Sequence, residues 1–210
     1  MIVIINPNST VSMTDAMVET ARKAAPDAGV VGWTSTKGPP AIQGPQDGEA
    51  SIPPLLELVQ KADDASATAI IIGCFDDTGL DAARHIASCP VIGIGQAAYH
   101  LASLYGPRFS VVTTLDVSVP ILVANIDDYG LKKNLCRVRA SGVPVLALED
   151  DRENATQQVK AEIRAAIRED GISSVVLGCA GMVHIFEDSE DIPIKLIDGV
   201  HAAVHIAAML

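Results

Sequence analysis

The chain has 210 residues, enough for one large domain or two small ones, and 49% of them are hydrophobic while only 3% are aromatic. Its core must therefore be built from Ile, Val, Leu and Ala, a composition that suits parallel strands buried on both faces. The net charge of −11 argues against nucleic acid or an anionic membrane as a partner, and no apolar run reaches the length of a bilayer span.

The first apolar run, Ile2–Ile5, ends at once in Asn6-Pro7-Asn8. It has neither a charged leader nor a full apolar stretch behind it, so it reads as a first strand rather than a signal peptide, and the protein is expected in the cytoplasm. Further strands are expected at Val30–Trp33, Ala69–Ile72, Val91–Ile94, Phe109–Thr113, Val143–Leu148, Ser174–Leu177 and Ile194–Ile197. Helical periodicity falls between them, at Ser12–Ala25, Pro54–Ala62, Asp116–Tyr129 and Glu153–Arg168. Alternation of this kind predicts parallel sheets with helices on both faces, an α/β fold. The run Glu187–Asp191 reads as a solvated loop before the last strand.

The strands also repeat. Ala69-Ile-Ile-Ile-Gly-Cys74 matches Ser174-Val-Val-Leu-Gly-Cys179 at an offset of 105 residues. Val91-Ile-Gly-Ile-Gly-Gln96 and Ile194-Lys-Leu-Ile-Asp-Gly199 both lead into Ala-rich helices, and Ile2-Val-Ile-Ile and Ser110-Val-Val-Thr both end in polar turns. Three strands recurring in one order at nearly one spacing point to a duplicated unit.

In open parallel sheets, ligands bind beyond the C-terminal strand ends. Four motifs fall there: Asn6–Thr10, Gly73–Gly79, Thr113-Thr114 and Gly178–Met182, two from each half. Each Gly-Cys stands between a buried strand and a helix. A thiol so placed is expected to feel the positive helix end, which lowers its pKa from about 8.5. Two opposed thiols suit racemisation, which needs a base on one face of a carbon and an acid on the other, with roles that exchange with direction. Cys89 and Cys136 read as structural, and with no Cys-x-x-Cys pair a zinc or thioredoxin-like site is unsupported.

These stretches, Ile4–Thr10, Gly73–Arg84, Val91–Gly95, Phe109–Thr114 and Leu177–Met182, run through nearly the whole chain. Together they resemble the aspartate/glutamate/hydantoin racemase superfamily, and within it the hydantoin and allantoin racemases. The resemblance implies two pseudo-symmetric Rossmann-like or flavodoxin-like lobes, each with a mainly four-stranded parallel sheet, and an active site in the cleft between them. The expected lobes are residues 1–95 plus 199–210 and residues 96–198. It implies no cofactor and no metal, and racemisation at the C5 carbon of a 5-substituted hydantoin or of allantoin. It makes Cys74 and Cys179 the catalytic acid/base pair, with substrate contacts from Asn6, Ser9, Phe75, Asp76, Thr113, Thr114, Ala180 and Gly181. The expected partners are a small-molecule substrate and further copies of the chain.

Two other readings use the same residues. A related two-thiol isomerase or a decarboxylase, maleate isomerase-like or arylmalonate decarboxylase-like, keeps the fold and changes the reaction. A non-catalytic module that binds a small ligand keeps only the cleft. His184 is a weaker site candidate, and His201 with His205 is a possible but unsupported metal pair, lacking a third ligand nearby.

Overall fold

A computed structural model describes residues 1–187 and 189–210 of the protein. Among the described residues, eight strands form two four-stranded, all-parallel sheets. The first contains β1 (Ile2–Asn6), β2 (Val30–Thr34), β3 (Ala69–Ile72) and β4 (Val91–Gly93) in the order β2-β1-β3-β4. The second contains β5 (Phe109–Thr113), β6 (Leu135–Ala140), β7 (Ser174–Leu177) and β8 (Lys195–Asp198) in the order β6-β5-β7-β8. The repeat read from the sequence is thus a repeat of topology.

Burial explains the composition of the strands. β1, β3, β5 and β7 lie inside their sheets and are buried along their whole length, so every position is apolar, small or internally bonded. Register then sets the site. Ile2–Ile5 pair with Ala69–Ile72, and Phe109–Val112 with Ser174–Leu177, so the two central strands of each sheet end level. The Gly73 amide donates to Ile5 at 2.8 Å and the Gly178 amide to Val112 at 2.8 Å, carrying the pairing one residue past each strand. A Cβ at Gly73 would lie 2.8 Å from Met17 Sδ, and one at Gly178 would lie 2.9 Å from Val111 Cγ1. Glycine before each cysteine therefore avoids crowding, mainly from α1 at Gly73 and from β5 at Gly178.

The helices are α1 (Val11–Ala24), α2 (Pro45–Asp64), α3 (Leu80–Ile86), α4 (Ile94–Tyr105), α5 (Val119–Asp128), α6 (Ala147–Asp150), α7 (Arg152–Glu169), α8 (Val183–Glu187) and α9 (Gly199–Met209). α1 buries Met13, Met17, Val18 and Ala21 on one face. Arg22 and Lys23 in its last turn suit the negative helix end, and Arg22 Nη2 also donates to the Val30 carbonyl at 2.9 Å. α4 and α9 join the two sheets. α4 leaves β4 yet also packs on β7 and β8, while α9 leaves β8 yet also packs on β1 and β3, and the two helices pack on each other. Buried Ala97, Ala98 and Ala102 on α4, with Ala202, Ala203 and Ala207 on α9, leave room for that approach. One apolar core consequently runs through both sheets, from Ile4 and Ile71 through Phe75, Tyr99 and Phe109 to Val176 and Ile197. Each such side chain contributes roughly 1.5–3 kcal/mol when fully buried.

One strand differs from expectation. Val143–Leu148 is not a strand; it is a loop leading into α6, and its apolar side chains pack inward instead of pairing. The edge strand is β6, which lies largely in a basic stretch. Its charge hides an inward position: Arg139 is buried and bonds Asp170 at 2.6 and 2.8 Å, Glu162 at 2.8 Å and Glu169 at 2.7 Å. Asp170 in turn accepts from Ser110 Oγ at 2.7 Å, so this network ties β5 and β6 to the end of α7.

Within the expected acidic loop, Glu187 pairs with Lys23 and Asp191 with Lys160 and Arg164, while Asp188 lies outside the described residues. Among the described residues no helix is long and apolar enough to cross a membrane.

Candidate active site

In a sheet of order 2-1-3-4, the chain turns to opposite sides beyond the two central strands, and the crevice at that switch point is where α/β sheets bind ligands. Here both switch points open on one cavity of about 40 Å³. From the first sheet it is lined by Asn8, Gly73, Cys74, Phe75 and Asp76, and from the second by Thr114, Gly178, Cys179, Ala180 and Gly181. Met13, Ile42, Ser118 and Val145 complete the wall.

The structure therefore brings together Cys74, Cys179, Phe75, Asp76, Thr114, Ala180 and Gly181 among the expected site residues. Asn6, Ser9 and Thr113 do not line the cavity. Asn6 is fully buried, and its Nδ2 donates to Asn8 Oδ1 at 3.0 Å, to the Thr10 carbonyl at 3.1 Å and to Thr14 Oγ1 at 3.0 Å. It shapes the turn that presents Asn8. The Ser9 amide donates to the Pro39 carbonyl at 2.9 Å, and Thr113 Oγ1 to the Gly178 carbonyl at 2.9 Å. Ser9 is tied to neighbouring backbone, while Thr113 stands behind the wall and holds its Gly178.

Of the residues not anticipated, Asn8 stood within a motif that pointed to the site, and Met13 lies just beyond it. Ile42 and Val145 come from loops with no motif. Their loops meet where the Val145 amide donates to Gln43 Oε1 at 2.9 Å, and Val145 packs with Met13, Ala41 and Cys179.

The two thiols differ from expectation in their electrostatics. Burial pushes the Cys74 thiol well above the ordinary thiol range, with the charges of Asp76 and Asp77 adding to it. Hydrogen bonds from Thr78, whose Oγ1 is 3.5 Å from Cys74 Sγ, and from the Asp76 amide pull the other way. Burial likewise pushes Cys179 up to about 12, against a hydrogen bond from the Gly181 amide and with Asp76 and Glu149 raising it further. Burial outweighs the expected lowering, and neither thiol stands directly at the start of an α-helix. α3 begins only at Leu80, past a turn, and α8 is a single short turn reached through a 3-10 segment, Ala180–Met182. Each thiol does receive the amide two residues on, so the halves match in this detail.

Asp77 has a separate task. Its carboxylate accepts from the Gly95 amide at 3.0 Å, the Gln96 amide at 2.7 Å and the Tyr129 hydroxyl at 2.9 Å. It caps α4 from outside that helix and binds the Cys74 loop to α4 and α5. Burial pushes it up to about 7 despite these bonds. Gly93 precedes α4 because a Cβ there would lie 2.1 Å from Asp77 Oδ1. At the matching place in the second sheet stands Asp198, which caps α9 itself by accepting from the His201 amide at 2.7 Å. Behind the cavity, Phe75 meets Tyr99 edge-on with ring centres 5.5 Å apart.

The remaining histidine candidates lie elsewhere. His184 lines a separate groove with Arg152 and Gln157, and burial lowers its pKa. The His201 and His205 rings contact each other at 4.6 Å, and no group of three or more His, Cys, Asp or Glu among the described residues is placed to hold a metal ion.

With this geometry established, the relatives are informative. The chain matches the family described as Asp/Glu/Hydantoin racemase over residues 2–207. It is 42% identical over 209 residues to a hydantoin racemase of Rhizobium meliloti, covering 99% of this chain and 87% of that one. A hydantoin racemase of Pseudomonas sp. (strain NS671) is 36% identical over 206 residues, covering 97% and 83%. The solved allantoin racemase from Klebsiella pneumoniae superposes with a TM-score of 0.95 at 34% identity, covering 100% of this chain and 86% of that one. A shared fold, two matching strand-end cysteines in one cavity and this whole-length similarity lead to one conclusion: the chain belongs to the Asp/Glu/hydantoin racemase family and is an isomerase of the racemase class.

Proposed function

We propose that the protein racemises the C5 carbon of a 5-substituted hydantoin or of allantoin, without a cofactor, using Cys74 and Cys179 as the acid/base pair. The observation that carries this reading is that the two thiols come from the ends of β3 and β7, in different sheets, and line the same cavity. A single carbon held there meets one sulfur from each half.

The charge of the cavity supports a neutral ring over an amino-acid dicarboxylate. Its lining contains Asp76 and no lysine, arginine or histidine. A substrate carboxylate would enter a buried space beside a like charge and find no counter-ion among the lining residues. A hydantoin ring carries its acidifying carbonyl internally and needs none.

In the reaction, the thiolate on one side takes the C5 proton and becomes a thiol. The electron pair delocalises into the adjacent carbonyl as an enolate. The opposite thiol then delivers its proton to the other face of C5 and becomes the thiolate, so atoms and charge balance and the pair is left ready for the reverse direction. Both thiols are pushed up by burial, which makes either a weak acid when neutral and a strong base once ionised. Hydrogen bonds from the Asp76 and Gly181 amides stabilise whichever sulfur is charged. Asn8, Thr114 and Ser118 supply polar groups along the wall for the ring amides. We infer that residues 1–95 plus 199–210 and residues 96–198 act as the two units that face each other across the ring.

Single enantiomers of allantoin and of 5-substituted hydantoins in D₂O test this, with optical rotation and deuterium at C5 followed together against an enzyme-free control. Wild type is expected to lose rotation and gain deuterium. Cys74→Ser and Cys179→Ser are each expected to slow racemisation by about 10²–10⁴-fold. Near-wild-type turnover in both variants would overturn the two-thiol mechanism. No exchange from any substrate would turn the assignment to an isomerase or decarboxylase on the same thiols.

A further inference from the structure

Two adjacent carboxylates near Cys74 have opposite situations, and the difference bears on which substrate arm the cavity takes. Asp77 is fully engaged by three donors. Asp76 lines the cavity, and its carboxylate has no hydrogen-bond or ion-pair partner among the described residues. Only its backbone is engaged, the carbonyl accepting from Asn125 Nδ2 at 2.8 Å and the amide donating to the Cys74 sulfur. Its charge acts on Cys74 beside it and on Cys179 of the other half. The carboxylate therefore belongs to the same cavity as the two sulfurs that we propose flank C5, within electrostatic reach of both, and a substituent on that carbon shares the cavity with it.

A half-buried carboxylate without a partner is costly to keep, and a donor brought by a ligand removes that cost. An ionised carboxylate only accepts hydrogen bonds. We propose that Asp76 selects the substituent at the racemised carbon, taking arms that end in N–H donors, such as ureido, guanidinium or ammonium groups, and rejecting arms that end in a carboxylate. This inference rests on the two-thiol racemase reading. Ureido and guanidinium groups present paired N–H donors that match both carboxylate oxygens, the guanidinium with a charge as well. An anionic arm would set two like charges together in a space without a cation.

The occupied state has a further consequence for the chemistry. A donor bound to Asp76 offsets the charge that raises both thiols, so the correct arm also eases formation of the thiolate. Selection is then expected in kcat as well as in KM.

The test compares kcat/KM for racemisation of allantoin, 5-(4-aminobutyl)hydantoin, 5-isobutylhydantoin and 5-carboxymethylhydantoin by wild type and Asp76→Asn. Wild type is expected to favour the two donor-tipped substrates over the isobutyl compound by about tenfold or more, and over the carboxymethyl compound by about a hundredfold. In Asp76→Asn the ratio of donor-tipped to isobutyl rates is expected to fall about tenfold, and the ratio of carboxymethyl to isobutyl to rise. Asp76→Ser provides the same ratios if circular dichroism shows that the Asn variant does not fold. Ratios unchanged within about threefold, with racemisation intact, would overturn the role of Asp76 alone. Absence of racemisation by wild type with all four substrates would instead overturn the reaction on which it rests.

Discussion

Replacing Gly93 by alanine tests whether Asp77 is what fastens the Cys74 loop to the helices around it. The new Cβ would lie 2.1 Å from Asp77 Oδ1 and 2.5 Å from its Cγ, so the carboxylate must leave the first turn of α4. It then loses the amides of Gly95 and Gln96 and the Tyr129 hydroxyl. Tyr129 is half-buried and can turn to water, but the two amides stay at the covered start of the helix. An orphaned buried donor costs about 1–3 kcal/mol, so the pair amounts to about 3 kcal/mol. Asp77→Ala breaks the same bonds without a clash and is expected to cost a similar amount. The double variant should therefore be little worse than either single one, which is a coupling of about 2–3 kcal/mol. Urea unfolding at pH 8, where Asp77 with its pKa of about 7 is ionised, measures all four proteins. Trp33, the single tryptophan, reports the first sheet by fluorescence, and circular dichroism reports the helices. If the two substitutions add to within about 0.5 kcal/mol, Gly93 is not there to make room for Asp77 and the reasoning fails.

Asp170→Asn is expected to cost about 3 kcal/mol at neutral pH, because buried Arg139 loses its nearest partner while keeping Glu162 and Glu169. Hydrogen bonding to Arg139 holds Asp170 below the usual carboxylate range, so this stabilisation is complete above about pH 4 and fades as pH falls through the depressed value; a gap between wild type and variant that stays constant down to pH 2.5 would refute it. Val145→Ala, on the wall of a cavity with room for roughly three waters, is expected to raise kcat/KM for larger C5 substituents about tenfold relative to the smallest. Equal effects across substituent sizes would show that Val145 does not set the size limit.

Much of this protein was determined by local sequence. The central strands were legible because a strand buried on both faces must be largely apolar, and β1, β3, β5 and β7 are, with only small or internally bonded polar residues among them. The repeat was legible because each half needs glycine where its strand end approaches a neighbour, followed by cysteine. β6 was not legible, since its Arg139 reads as a surface residue until Asp170, from a distant helix end, is brought beside it. Only the tertiary structure decided the rest of the site. Asn6 and Asn8 are equivalent as letters, but the first spends its amide inside the turn and the second reaches the wall. Asp76 and Asp77 are likewise adjacent and identical, yet Asp77 caps a helix and Asp76 lines the cavity that holds the thiols. The thiols themselves were located by sequence, but their acidity depends on burial and on nearby charge. Those are sums over groups far apart in the chain, and no local pattern encodes them.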